Sequence, residues 1–228
     1  MYFCDLAIRA SSKAVLPRGH TVRDLKTRHI SDIFVSFMPN RYVLDGMRKT
    51  NLSLGPCEHT QLYVQLINVN MCFVEDFDFD KYFRSSDTDR DSQILNTVEV
   101  TLAELAETFS SDPQPIHVAA TKTRDCVFER IARVKALCRS SPDRRYRINV
   151  LIRLRRTGES WIVEVTDRNG AVVWKSIIVE DTFGLAPRYD YRKSLWSGNN
   201  FVLLDRFDRV KFALDWGILR NEIAQSAP

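Results

Sequence analysis

Residues 146–179 read "YRINVLIRLRRTGESWIVEVTDRNGAVVWKSIIV", and the alternation inside this stretch decides the fold class. Successive side chains of a strand point to opposite faces. Tyr146, Ile148, Val150, Ile152 and Leu154 therefore share one face, and Arg145, Arg147, Asn149, Arg153 and Arg155 share the other, with Leu151 as the exception. "TGES" at 157–160 turns the chain into a second strand. "DRNG" at 167–170 turns it into a third, because Asn-Gly accepts the positive φ that a tight hairpin demands. After a loop containing Pro187, "NNFVLLD" (199–205) and "RVKFALDW" (209–216) read as a further hairpin.

Upstream, the period changes from two to about 3.6. In "DSQILNTVEVTLAELAETFSS" (91–111), Ile94, Leu95, Val98, Leu102, Leu105 and Phe109 recur at spacings of three and four, with Glu99, Glu104 and Glu107 off the stripe. A second helix is expected in "TRDCVFERIARVKALCRSS" (123–141), with Val127, Ile131, Val134 and Cys138 along one side. The two prolines of "SSDPQPIHV" (110–118) separate the helices. Together these elements predict an α+β protein: an antiparallel β-meander of roughly five strands, covered on one face by two helices. The arginine-bearing face of the first strand is then the wetter one.

The first sixty residues are less patterned. "YFCDLAI" (2–8) and "DIFVSFM" (32–38) read as short strands between loops containing Pro17, Gly19, Pro39, Gly46, Gly55 and Pro56. "QLYVQLINVNMCFVEDF" (61–77) alternates as one long strand, or two joined by a bend. The expected organisation is a single domain over 1–228. Within it lie an irregular, strand-rich N-terminal part at 1–84, helices at about 90–140 and the meander at about 144–216.

The 228 residues are 44% hydrophobic and 27% charged, with a formal net charge of +4, ordinary values for a globular protein. The charge is unevenly distributed. Residues 75–112 carry eleven Asp/Glu against three Lys/Arg, and residues 122–156 carry twelve Lys/Arg against three Asp/Glu. Such asymmetry steers charged partners. Five cysteines (Cys4, Cys57, Cys72, Cys126 and Cys138), odd in number and without C-x-x-C spacing, do not read as a disulfide framework. No basic segment followed by an apolar run opens the sequence, and no apolar stretch approaches the roughly 18 residues that span a bilayer. A cytoplasmic protein without a membrane segment is expected.

Nothing in the chain looks as deliberate as "VEDFDFDKYFRSSDTDRD" (74–91). Asp87, Asp89 and Asp91 imitate the start of a calcium loop, but Ser92 replaces the glycine of the sharp turn and Val98 the bidentate glutamate. A helix start accounts for "SDTDRD" better, because carboxylates there meet free N–H groups and the positive end of the helix dipole. In "EDFDFD", an extended chain would turn Phe77 and Phe79 inward and Asp76, Asp78 and Asp80 outward. A protected edge strand explains that alternation without any function. A partner-binding face composed of Asp76, Asp78, Asp80, Asp87, Asp89 and Asp91, meeting a protein that is basic at the contact, explains it with one.

Catalytic patterns are weak. "NLSLG" (51–55) matches only half of a nucleophile elbow, phosphate loops are absent, and His20, His29, His59 and His117 are scattered. Cys57 and His59 of "CEH" lack a second ligand pair, so no metal and no cofactor is expected. The alternative reading is a nucleic-acid-associated protein using Arg145, Arg147, Arg153 and Arg155 on phosphates. Against it, the arginine bias runs through the whole chain and no aromatics interleave with the basic strand. An enzyme whose site is assembled from distant residues is the third reading.

The acidic "VEDFDFDKYF" (74–83), the helix "QILNTVEVTLAELAETF" (93–109), and the terminal strands "WIVEVTDRNGAVVWKSIIV" (161–179) and "SLWSGNNFVLLDRFDRVKFALDW" (194–216) together resemble a class of bacterial proteins. These are the immunity proteins kept in the cytoplasm against polymorphic or contact-dependent toxins. The resemblance is one of general design and carries over no functional residue. It implies a non-enzymatic inhibitor that binds one cognate toxin and blocks its active site.

Overall fold

A computed structural model describes residues 1–57, 63–66, 68–182 and 191–226. The chain divides into two compact units, Met1–Glu129 and Arg130–Pro228. The α+β class expected from the sequence holds, with helices and antiparallel sheet both present.

The first unit is a mixed sheet with helices packed on it. Strands β1 (Asp5–Ala10), β2 (Lys49–Leu54) and β4 (Val69–Val74) run parallel, and β3 (Tyr63–Leu66) pairs antiparallel with β4, in the order β1-β2-β4-β3. The alternation of 61–77 thus resolves into two strands joined by a tight bend, where Asn68 takes a left-handed φ of 58°. Helix α1 (Arg28–Phe37) links β1 to β2, as parallel neighbours require a crossover. "DIFVSFM" is therefore not a strand. Seven apolar-rich residues cannot separate helix from strand, whereas His29, Ile30, Ile33 and Phe34 recur at helical spacing and are all buried.

Helices α2 (Phe79–Arg84), α3 (Asp87–Thr108) and α4 (Gln114–Asp125) follow. The expected stripe of α3 is buried from Ile94 through Leu105, while Phe109 caps its end and tilts against Tyr63. The second helix begins earlier than expected. α3 ends where Ser110 takes a left-handed φ of 55°, and Pro113 and Pro115 start α4, since the first helical turn has no N–H partner to lose. Ile116, Ala119, Ala120 and Thr123 form its buried side. It ends where Val127 and Phe128 both adopt left-handed φ, at 52° and 57°, and Phe128 turns back into the first unit's core. Residues 127–141 are consequently not α-helical, with only a short 3-10 turn at Lys135–Leu137, and Val127 and Ile131, expected on a buried stripe, are exposed.

The second unit is antiparallel throughout. Strands β5 (Arg130–Arg133), β6 (Arg139–Ser140), β7 (Arg147–Arg155), β8 (Gly158–Thr166) and β9 (Val172–Thr182) form one sheet, with β6 pairing beside β5 on β7. Strands β10 (Lys193–Ser197), β11 (Asn200–Leu204) and β12 (Val210–Asp215) form another, followed by helix α5 (Trp216–Ser226). The meander β7–β8–β9 is as expected, and Gly170 alone supplies the positive φ of its second turn, where Asp167 accepts from the N–H groups of Asn169 and Ala171.

The cover of the meander differs from expectation. Ile148, Val150, Trp161, Val163 and Val165 pack with Phe201 and Leu203 of β11 and with Trp216, Leu219 and Ile223 of α5. The residues of α3 and α4 fill the first unit's core instead. The arginine-bearing face of β7 is not a wet one either. Asn149 is fully buried and donates to Thr166, and Leu151 pairs in register with a buried Ile162 on that same face.

Candidate partner-binding corner at the start of two helices

The acidic stretch folds as two consecutive helix starts, not as an extended strand. Asp78 is the N-cap of α2, its Oδ1 accepting from the Lys81 N–H at 2.8 Å. Phe77, just before the cap, packs on Tyr82 with ring centroids 5.9 Å apart, a hydrophobic staple that sets the entry angle. Phe77 and Phe79 are buried, as the alternation predicts, although a helix rather than a strand turns them inward. The sequence signal for this is Asp78 followed by Lys81, with Phe77 and Tyr82 flanking them.

Ser85 breaks the helix in extended conformation, and Ser86 caps α3, accepting from the Asp89 N–H at 3.2 Å and donating to Asp89 Oδ2 at 2.7 Å. Arg90 ties the two helices together. Its Nε donates to the Tyr82 carbonyl at 2.9 Å and its Nη2 to the Phe83 carbonyl at 2.6 Å, filling the acceptor positions that the end of α2 leaves open. Gln93 Nε2 donates to the Asp78 carbonyl at 3.2 Å. His20 stacks on Phe83 at 4.1 Å. Sequence reasoning missed Arg90, Gln93 and His20, because none belongs to a periodic pattern.

Asp76, Asp78, Asp80, Asp87 and Asp89 are exposed on this corner. Two take part in surface ion pairs, Asp80 with Arg84 at 3.4 Å and Asp87 with Arg90 at 3.5 Å. Exposed pairs of this kind contribute about 0–1 kcal/mol and leave the carboxylates available. Asp91 does not belong with them. It is 4% exposed, and its Oδ2 lies 3.0 Å from Nε2 of His29, itself 6% exposed, so it fastens α3 to α1. Asp91 lies one turn beyond Asp87 on the same side of α3, so its depth along the helix, level with His29, is what buries it.

The arginine alternative is not assembled into one strip. Arg145 and Arg147 are exposed at the start of β7, while Arg153 and Arg155 are half-buried about 20 Å further along, at roughly 3.3 Å per residue. Arg155 lies 3.9 Å from Glu180.

Other polar groups have structural partners. Glu99 on α3 receives the Arg124 guanidinium and lies 2.8 Å from His117 Nδ1, and Arg124 also donates to Asn96, which clamps α3 to α4. Burial pushes the Glu99 carboxyl up, but the bonds from His117 and Arg124 outweigh it and hold it below the usual glutamate range. Ser53 of "NLSLG" lies fully buried within β2. Cys4, Cys57, Cys72, Cys126 and Cys138 are not joined by disulfides, and burial pushes Cys72 up to about 12, with Asp45 adding to the shift. His59 lies outside the described residues. Among the described residues, no three His, Cys, Asp or Glu side chains converge as a metal site, and no helix is long and apolar enough to cross a membrane. Comparison with protein-family models, with curated proteins and with solved structures found no match to this chain.

Proposed function

We propose that this chain is a non-enzymatic protein-binding protein whose acidic α2–α3 corner docks a protein that is basic at the contact. The reading extends to the kind of inhibitor its general design resembles, a cytoplasmic immunity protein that neutralises a cognate toxin. One observation carries it: Asp76, Asp78, Asp80, Asp87 and Asp89 are exposed together on a corner anchored from behind by buried Phe77, Phe79, Tyr82 and Phe83. A pre-organised charged surface speeds encounter and loses little ordering entropy on binding. Stable complexes bury about 1,600 Å² in total, so the corner supplies only part of the contact.

The test uses Asp76→Asn, Asp80→Asn and Asp87→Asn together, which removes three charges while leaving the caps made by Asp78, Ser86 and Asp89 intact. Wild type and variant are compared as baits, and any basic protein held by wild type is purified for stopped-flow kinetics. The variant's association rate is expected to fall by roughly threefold to tenfold at low salt and to converge on wild type near 0.5 M salt. Equal rates at low salt would leave the carboxylates as helix caps and surface charge only.

A further inference from the structure

The second unit presents a different feature, at the turn between β11 and β12. Asp205 is buried, and its carboxylate organises the whole turn. Oδ1 accepts from the N–H groups of Phe207 at 2.8 Å and Arg209 at 3.1 Å, and Oδ2 accepts from Arg209 Nε at 2.7 Å and faces Nη2 at the same distance. Burial pushes the Asp205 carboxyl up, but these N–H groups and the guanidinium outweigh it and hold it below the usual range. The Asp205 N–H donates to the Arg209 carbonyl, and Asp208 takes the left-handed φ of 57° that closes the loop.

None of these bonds uses the side chain of Phe207. The ring is 61% exposed at the tip, with the Arg206 guanidinium carbon 4.6 Å and that of Arg209 5.1 Å from its centroid. The neighbouring strand ends carry Arg192, Lys193 and Lys211, so residues 192–193 and 205–211 hold five cations against Asp205 and Asp208, a balance of +3. Lys193 reaches Asp208 at 3.2 Å. Val210, the next residue past Arg209, is exposed as well.

We propose that this hairpin tip is a docking knob for a protein pocket that is apolar at its floor and rimmed by carboxylates. Aromatic and arginine side chains are the types that dominate binding energy at protein interfaces, and here both are held in place before any partner arrives. Charge complementarity selects an acidic rim. A single-stranded nucleic acid fits less well, because base stacking needs a groove with successive rings. Among the described residues of this sheet, Phe212 and Trp196 pack against the core, leaving Phe207 as its exposed ring. The inference is independent of the acidic corner, and each can fail alone.

The experiment places a photo-crosslinking phenylalanine analogue at position 207 of the full chain in cells, with position 127 as the control, since Val127 is exposed in the other unit. The expected result is a protein cross-linked at 207 and not at 127. Once purified, that protein should bind Phe207→Ala at least tenfold more weakly than wild type and Arg206→Ala several-fold more weakly, with Val127→Ala unchanged. Thermal melts confirm that each variant is folded, and Phe207→Leu, which keeps the bulk without the ring, replaces the alanine variant if that melts early. No protein product above the 127 background, a product destroyed by nuclease, or unchanged affinity in the folded Phe207 variant would each overturn the proposal.

Discussion

Arg90 is the keystone of the acidic corner, and Arg90→Ala gives the most direct test of how that corner is built. The side chain makes two charge-assisted bonds to the last carbonyls of α2, at 2.9 and 2.6 Å, and its guanidinium carbon lies 5.7 Å from the centroid of the Tyr82 ring. Hydrogen bonds from a charged donor contribute about 1.5–3 kcal/mol each in net terms. With the lower figure for both bonds, the expected loss is about 3 kcal/mol. The exposed Asp87 partner adds little. Urea unfolding followed by a probe confined to the first unit should show this loss as a lower midpoint at unchanged slope. Hydrogen exchange should then quicken over 79–84, while the C-terminal half of α3 keeps its protection. Arg90→Lys, able to reach one carbonyl at a time, should recover about half. A loss below about 0.5 kcal/mol, or quickened exchange spread evenly over α3, would refute the keystone role.

The buried His29–Asp91 pair gives a second test. Asp91→Asn or His29→Leu alone should destabilise the first unit by about 1–3 kcal/mol, and replacing both by leucine should recover most of that, as measured by denaturant melts; additive losses would contradict coupling. Glu99 predicts a pH dependence. Its folded-state value lies below its unfolded one, so its contribution is present above the ordinary glutamate range and is lost as pH falls through the folded value. Glu99→Gln should therefore be less stable than wild type at neutral pH and show a flatter acid limb, the two curves converging at low pH; parallel curves would refute it. Gly55 has a φ of 101°, and a β-carbon there would lie 3.0 Å from Ala14 Cβ and 3.2 Å from the Phe79 ring. Gly55→Ala should cost about 2 kcal/mol or more, and an unchanged thermal midpoint would show that the strand end tolerates both strains.

What the sequence determined by itself is what local spacing determines. Side-chain period is a property of neighbouring residues, so the strands of the meander and the stripe of α3 were legible, and so was the inward turn of Phe77 and Phe79. Turn chemistry is equally local, which is why Gly170 and the helix start at Ser86 could be anticipated. Where local patterns were short or ambiguous, tertiary packing chose. "DIFVSFM" became the end of α1 because parallel β1 and β2 need a crossover there, and the apolar residues after Asp125 became β5 and β6 because β7 offered an edge to pair with. The fate of single charges was decided the same way. Asp87, Asp89 and Asp91 are alike in sequence, yet Asp91 alone is buried, because His29 waits on the helix packed against that side of α3. Arg90 is one arginine among 24 in composition and acquires its role only where α2 ends within its reach. Periodicity says which side of an element is apolar, and only the assembled chain says what that side meets.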